Sequence, residues 1–218
     1  MSDERENKNQ QVFGSQPGQP GVHPSIKRRD VMKEDFGYEV PVETVPLPSM
    51  GTTYPADHPL HGQETTMVRA MTARDEDILT SRALIKKGVV ISSLLKSCLI
   101  DKSIDVDEML SGDRNALMVA LRVTGYGAEY NVEVDCPACG ERSKQNFDLT
   151  QLNINRLTLS PTIAGTNCFE FELPVTKKKV KFKFLTGYDE QEIMVISERK
   201  KKQGIKTENA VTERLKYS

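Results

Sequence analysis

At 218 residues the chain has room for one sizeable domain, or two small ones, with a tail. Its 30 Lys and Arg stand against 31 Asp and Glu, a net charge of −1, which argues against the basic excess of a dedicated nucleic-acid or membrane-surface binder. No apolar run reaches the length of a bilayer span, and the opening MSDERENKNQQ lacks the apolar stretch of a secretory signal. The four cysteines are therefore read as reduced thiols or metal ligands in a cytoplasm-like compartment.

In chain order, residues 1–45 read as an extended or disordered arm. The stretch NKNQQVFGSQPGQPGVHPSIKRRD is rich in Gln, Pro, Gly and Asn, with isolated Val, Phe and Ile to bury. So polar a segment becomes ordered by lying on another surface, which points to a component of an assembly. Residues 46–66 form a proline-rich loop, where Pro46, Pro48, Pro55 and Pro59, following Pro41, forbid helix and leave extended segments and turns.

The unit at 67–150 holds a strand, helices and a hairpin. ETTMVRAMT is a strand candidate at its start. MTARDEDILTSRALIKKG has the marks of one helix: Thr72 and Asp75 as a capping box, acids in the first turn, Lys86 and Lys87 in the last, Gly88 to close it. In VVISSLLKSCLID, Ile91, Leu94, Leu95 and Cys98 share one helix face, so Cys98 is a small core residue. DVDEMLSGDRNALMVALRVTGYG predicts a short helix, a break at Gly112 and a longer helix over 113–123, ended by Gly125 and Gly127. The period then changes to 2. Tyr130, Val132 and Val134 lead to Cys136-Pro-Ala-Cys139-Gly140, and Phe147 and Leu149 return.

The unit at 151–218 carries a second hairpin and C-terminal helices. Phe169, Phe171 and Leu173 face Val180, Phe182 and Phe184 across the turn PVTKKK, and LTGYDEQEIMVISERKKKQG and KTENAVTERLKYS are helical. The expected fold is α+β: a small helical cluster with two antiparallel β-hairpins, one tipped by a CxxC zinc knuckle, plus the extended arm. Met71-Thr72-x-x-Asp75-Glu76 recurs as Leu185-Thr186-x-x-Asp189-Glu190. Capping boxes look alike, which is the plain explanation; the other is an ancient duplication. With that offset of 114 (186 minus 72), a second knuckle would fall near position 250, past the last residue given.

Cys136 and Cys139 are the candidate metal ligands. A two-residue spacer lets both sulfurs turn inward to a zinc about 2.3 Å away, and tetrahedral zinc needs four donors. Three completions are open: a second knuckle past residue 218 or on another subunit, the pair His58-x-x-His61, or no metal at all. A redox role is disfavoured because this motif lies between strands instead of opening a helix. No G-x-x-x-x-G-K-[ST], G-x-S-x-G or H-E-x-x-H occurs, and the acidic clusters DEDIL and DVDEML sit at helix starts, so the chain is read as no enzyme.

Three stretches carry a family likeness: LPSMGTTYPADHPLHG, LSGDRNALMVALRVTGYGAEYNVEVDCPACG and NCFEFELPVTKKKVKFKFLTGYDE. Over roughly residues 45–200 the chain resembles the baseplate proteins of T-even-type contractile-tailed bacteriophages, which include hub and hub-assembly proteins. The resemblance implies a non-enzymatic tail or baseplate component. It would be made in the host bacterial cytoplasm, located in the virion, and present in several copies in a symmetric assembly with other tail and baseplate proteins, with no membrane. By analogy it supports only Cys136 and Cys139, as ligands of a structural Zn2+. Two other readings compete. One is a transient assembly chaperone absent from the virion. The other is a zinc-knuckle nucleic-acid module with Phe169, Phe171, Phe182 and Phe184 stacking bases, against which the shared, buried face of those rings argues.

Overall fold

Prolines steer the chain inward before any helix forms. The computed structural model describes residues 32–33, 39–204 and 210–218; residues 1–31 and 34–38 of the expected arm lie outside them, as do 205–209 of the expected last helix. A two-residue pairing of β1 (Met32–Lys33) with β2 (Glu39–Val40) leads into β3 (Val42–Pro46), which pairs antiparallel with β4 (Thr65–Arg69). The strand β3 runs across the boundary expected at residue 45, so the fold begins ahead of ETTMVRAMT. Between β3 and β4 the proline-rich loop is part of the core. Tight turns satisfy its backbone locally (Met50 N–H to Leu47 O, 3.0 Å; His58 N–H to Pro55 O, 3.0 Å; His61 N–H to His58 O, 2.9 Å), which leaves Leu47, Tyr54 and Leu60 free to bury.

Gly51 makes the sharpest of these turns, at φ +68°. A Cβ there would collide with Gln63 N and lie 2.5 Å from Leu60 O, both backbone atoms that cannot swing aside. Gly51→Ala is expected to cost on the order of 2–4 kcal/mol from strain and clash together. Gly62 has φ +65° and open space around it. Gly62→Ala is expected to cost about 1 kcal/mol, from φ alone. Denaturant titration of the two variants checks the difference.

The long helix expected at 72–88 is two: α1 (Ala73–Thr80) and α2 (Arg82–Lys87), divided at Ser81, whose ψ of 105° is extended. The predicted caps hold at both ends, Thr72 with Asp75 at the start and Gly88 at φ +73° at the finish. Helix α3 (Val90–Cys98) buries Leu94, Leu95 and Cys98. Burial pushes the Cys98 thiol up to about 11, so it packs as a small apolar group.

DVDEML is a run of turns, not a helix, and Gly112 is no break. Helix α4 runs Ser111–Tyr126 with Gly112 in its first turn and Gly125 in its last, closed by Gly127. Its Leu117, Ala120 and Leu121 complete one core with Val45, Leu47, Val68, Leu95 and Leu99.

Two further hairpins project from this core: β5 (Glu129–Asp135) with β6 (Arg142–Asp148), and β7 (Phe169–Glu172) with β8 (Lys179–Phe182). Helices α5 (Gly187–Lys202) and α6 (Ala210–Tyr217) follow. The β7–β8 pair is shorter than expected, and its rings do not share one fate. Phe169 is buried and packs on Phe182 at 5.5 Å and Phe184 at 4.9 Å, while Phe171, further from the core, is 52 % exposed. Three of the four rings pack on each other, Phe169 stacked on Phe182 and Phe184 edge-on to both, so they are not free as a set to stack bases.

The likeness between Thr72-x-x-Asp75 and Thr186-x-x-Asp189 reaches beyond the caps. In each case a hairpin precedes the cap, and a basic residue six positions before the aspartate, Arg69 or Lys183, bonds its carboxylate. After its helices the chain returns in the first case to β4, by the Val68–Leu99 bridge, and in the second to the residue just past β8, by Lys183 N–H to Ser218 O at 2.7 Å. The two segments are built alike.

Candidate assembly interface and cysteine knuckle

The residues of LPSMGTTYP and GDRN meet in the interior. Asp113, fully buried in the first turn of α4, accepts from Ser49 N–H (2.9 Å), the Ser49 hydroxyl (2.6 Å) and the Tyr54 hydroxyl (2.6 Å), and Tyr54 Oη accepts from Leu110 N–H (3.1 Å). Burial, then the Asp113 charge, pushes the Tyr54 phenol far above its ordinary range, so it stays a donor. Arg114 turns the other way, to Val106 O (3.0 Å), Asp107 (2.8 Å) and Ser92 (2.9 Å), and Gln191 of α5 joins at Asp107 (2.7 Å). These groups pin the proline-rich loop, α3, α4 and α5 together. Their work is structural, and no role could be given to them from local pattern because Ser49, Tyr54, Ser92 and Gln191 are brought in from remote parts of the sequence.

The structure brings Cys136 and Cys139 together at the tip of the β5–β6 ribbon. Cys136 N–H donates to Glu141 O (2.9 Å), and Gly140, at φ +73°, donates its N–H to Cys136 O (2.7 Å). The backbone N–H groups of Cys139 and Ala138, then the Cys139 thiol, are directed at the Cys136 sulfur and hold it below the ordinary thiol range. A lowered thiol is also what a thiolate ligand needs, and were a zinc held there the pair would give two of its four donors.

His58 and His61 are not brought to it. His58 stacks on Tyr54 at 4.5 Å, accepts from Leu60 N–H through Nδ1 (3.0 Å) and has Nε2 3.7 Å from Glu108; His61 Nδ1 lies 2.6 Å from Tyr54 O. Both serve the turns of the proline-rich loop. Among the described residues no group of three or more His, Cys, Asp and Glu is placed to hold a metal ion.

The ribbon itself is the least covered element. Its alternation is the predicted one, with Tyr130 opposite Phe147 and Val134 opposite Ser143. Yet Tyr130, Val134 and Phe147 remain 43–47 % exposed on the apolar face, with the Arg122 guanidinium 5.9 Å from the Tyr130 ring centroid as partial cover. In the irregular segment after the ribbon, Leu152, Ile154 and Leu159 are each about half exposed. A two-stranded ribbon is marginal in water without a cover for its apolar face.

Buried polar groups thus hold the loops of this scaffold to its helices, and its longest ribbon presents an open apolar face. The sequence profile described as T4 bacteriophage base plate protein matches residues 49–164, more than half of the chain, and the chain belongs to that baseplate-protein family. Proteins of this family are structural, non-catalytic components of the phage tail and baseplate. The matched span takes in the Ser49–Tyr54–Asp113 network, the ribbon and the knuckle. No curated protein and no solved structure matches the chain. Among the described residues no helix is long and apolar enough to cross a membrane.

Proposed function

We propose that the chain is a built-in part of the baseplate hub region or the adjoining tail, present in several copies, and joined to other tail and baseplate proteins through the apolar face of the β5–β6 ribbon. The observation that carries this is the face of Tyr130, Val134 and Phe147, which the chain's own fold leaves about half open. Covering it supplies the missing third layer of a ribbon that two strands alone hold poorly. Synthesis takes place in the host bacterial cytoplasm and the final location is the virion. Mass spectrometry of purified virions tests this. The chain is expected among the tail proteins; its presence in infected cells but not in virions would instead identify a transient assembly chaperone.

The knuckle fits the same role. Cys136 and Cys139 would hold a structural Zn2+ with two donors from a neighbouring chain, since His58 and His61 are engaged elsewhere. A shared metal would fix the ribbon tip at a contact. Elemental analysis of purified particles is expected to find zinc that disappears with Cys136→Ala. Equal zinc in particles of both forms would remove the site.

A further inference from the structure

The edges of the β5–β6 ribbon, as distinct from its apolar face, point to a second copy of this chain. Leu149 N–H donates to Ala128 O and Cys136 N–H to Glu141 O, both at 2.9 Å, at opposite ends of one unbroken register. In an antiparallel ladder bonded and non-bonded pairs alternate, so Tyr130–Phe147, Val132–Gln145 and Val134–Ser143 take the inward bonds. The backbone N–H and C=O groups of residues 129, 131, 133 and 135 on β5, and of 142, 144, 146 and 148 on β6, therefore face outward. Among the described residues neither edge pairs with another strand. Neither strand contains proline or a bulge, the usual blocks to edge pairing.

Charge decides which edges can meet. The outward positions of β5 carry Glu129, Glu133 and Asp135, and those of β6 carry Arg142 and Lys144. Within one ribbon Arg142 already reaches Asp135 at 2.9 Å and Glu133 at 3.8 Å, exposed and therefore weak pairs that a neighbouring strand can share, and Asp148 is occupied with its own turn, accepting from Thr150 N–H (2.9 Å) and the Thr150 hydroxyl (2.7 Å). Two β5 edges would set acid against acid, and two β6 edges base against base. A β5 edge beside the β6 edge of a neighbour sets the acids Glu133 and Asp135 beside the bases Lys144 and Arg142 near the cysteine turn, with Asp148 at the far end the one acid on the β6 side.

We infer that copies of this chain join edge to edge, β6 of one to β5 of the next, in a closed ring. The up-down strand order repeats from copy to copy, so each new contact is antiparallel like the one inside the ribbon. Unlike edges meeting head to tail make a heterologous contact, which gives a ring of three or more where its rotation closes, the case inferred here, and an open filament where it does not, and which is not the isologous contact of a two-fold dimer. The apolar faces then merge into one belt, available to a different baseplate protein. This inference rests on reading the ribbon as an assembly element, but it concerns the edges; its failure would leave the virion measurement above untouched.

Native mass spectrometry of the full chain tests it. The wild type is expected to give one discrete species of three or more copies. Asn146→Pro deletes only an outward N–H and is expected to reduce that species to monomer. A second pair of variants separates edge pairing from folding. Glu133→Lys with Asp135→Lys makes both edges basic, and Arg142→Glu with Lys144→Glu makes both acidic. Each is expected to be monomeric alone, and a mixture of the two to restore a ring with both chains in equal number, which a folding defect would not do. A monomeric or strictly dimeric wild type, a ring that survives Asn146→Pro, or a mixture that stays monomeric would each overturn the inference.

Discussion

Asp113→Ala is expected to destabilise the protein by about 3–5 kcal/mol, one of the two largest losses at a single side chain outside the apolar core. The carboxylate is fully buried and accepts from two side chains and a backbone N–H that lie 59 and 64 residues away in sequence. Truncation leaves Ser49 N–H, the Ser49 hydroxyl and the Tyr54 hydroxyl without their acceptor in a site water does not reach. A small domain is held by roughly 5–15 kcal/mol in all, so the variant would be poorly folded at 37 °C. Asp113→Asn keeps the shape and one acceptor oxygen, and about 1–2 kcal/mol is expected. Urea titration followed by circular dichroism ranks the two. Equal, small losses would show that the network is not what anchors the proline-rich loop to α4.

Asp75→Ala is the second large effect, and its near-twin Asp189→Ala is the control. Both aspartates close a capping box, Asp75 on Thr72 N–H (2.8 Å) and Asp189 on Thr186 N–H (2.9 Å). Asp75 also takes both arms of Arg69 (2.6 and 3.0 Å) and the Ser97 hydroxyl (2.6 Å) in a fully buried site. Removing it strands the guanidinium, and about 3–5 kcal/mol is expected. Lys183, the partner of Asp189, is 44 % exposed, so its pair is screened and only the cap of about 1 kcal/mol is at stake.

The same carboxylates give a pH dependence with a definite sign. At Asp75 burial pushes the pKa up, but the hydrogen bonds from Arg69, then Ser97 and Thr72, outweigh it and hold the group well below the ordinary range. At Asp107 burial is likewise outweighed, by Ser92, Arg114 and Gln191, and at Asp189 by Lys183 and Thr186; both are lowered. A folded pKa below the unfolded value of about 3.9 means that the stabilisation is complete above that pH and is lost as pH falls through the folded values. Acid unfolding is expected below about pH 4, and Asp75→Ala should flatten that limb of the stability curve.

What could be read from the chain alone follows from the range of the interactions. Caps are local, so Thr72 with Asp75 and Thr186 with Asp189 were legible in four residues. The β5–β6 hairpin was legible because its apolar residues alternate up to a tight cysteine turn, although Leu149, expected on the return strand, opens the short 3-10 turn that follows it. The start of α4 was not, because the residue at its N-cap is Leu110 and the first turn is held by Ser49 and Tyr54 from across the molecule. Pro46 to Pro59 marked the absence of helix, but a proline spacing cannot tell an outward loop from one that turns Leu47, Tyr54 and Leu60 into the core. Likewise His58-x-x-His61 has the spacing of paired metal donors, yet the same spacing serves two successive turns, and here it does. Of the candidate site, the two cysteines were legible, whereas the openness of the ribbon was not, since alternation says which residues share a face and nothing about what covers it.

On the function proposed above, the apolar face of the ribbon is the surface by which this chain is held in the baseplate. A photo-crosslinking side chain at Val134, introduced in the infecting phage, tests it most directly, with Val175 on the other hairpin, 89 % exposed, as the reference position. Crosslinks from Val134 into another tail or baseplate protein, in clear excess over those from Val175, are the predicted result. A Val134 probe that captures only solvent within assembled particles, or nothing beyond what Val175 captures, would contradict it.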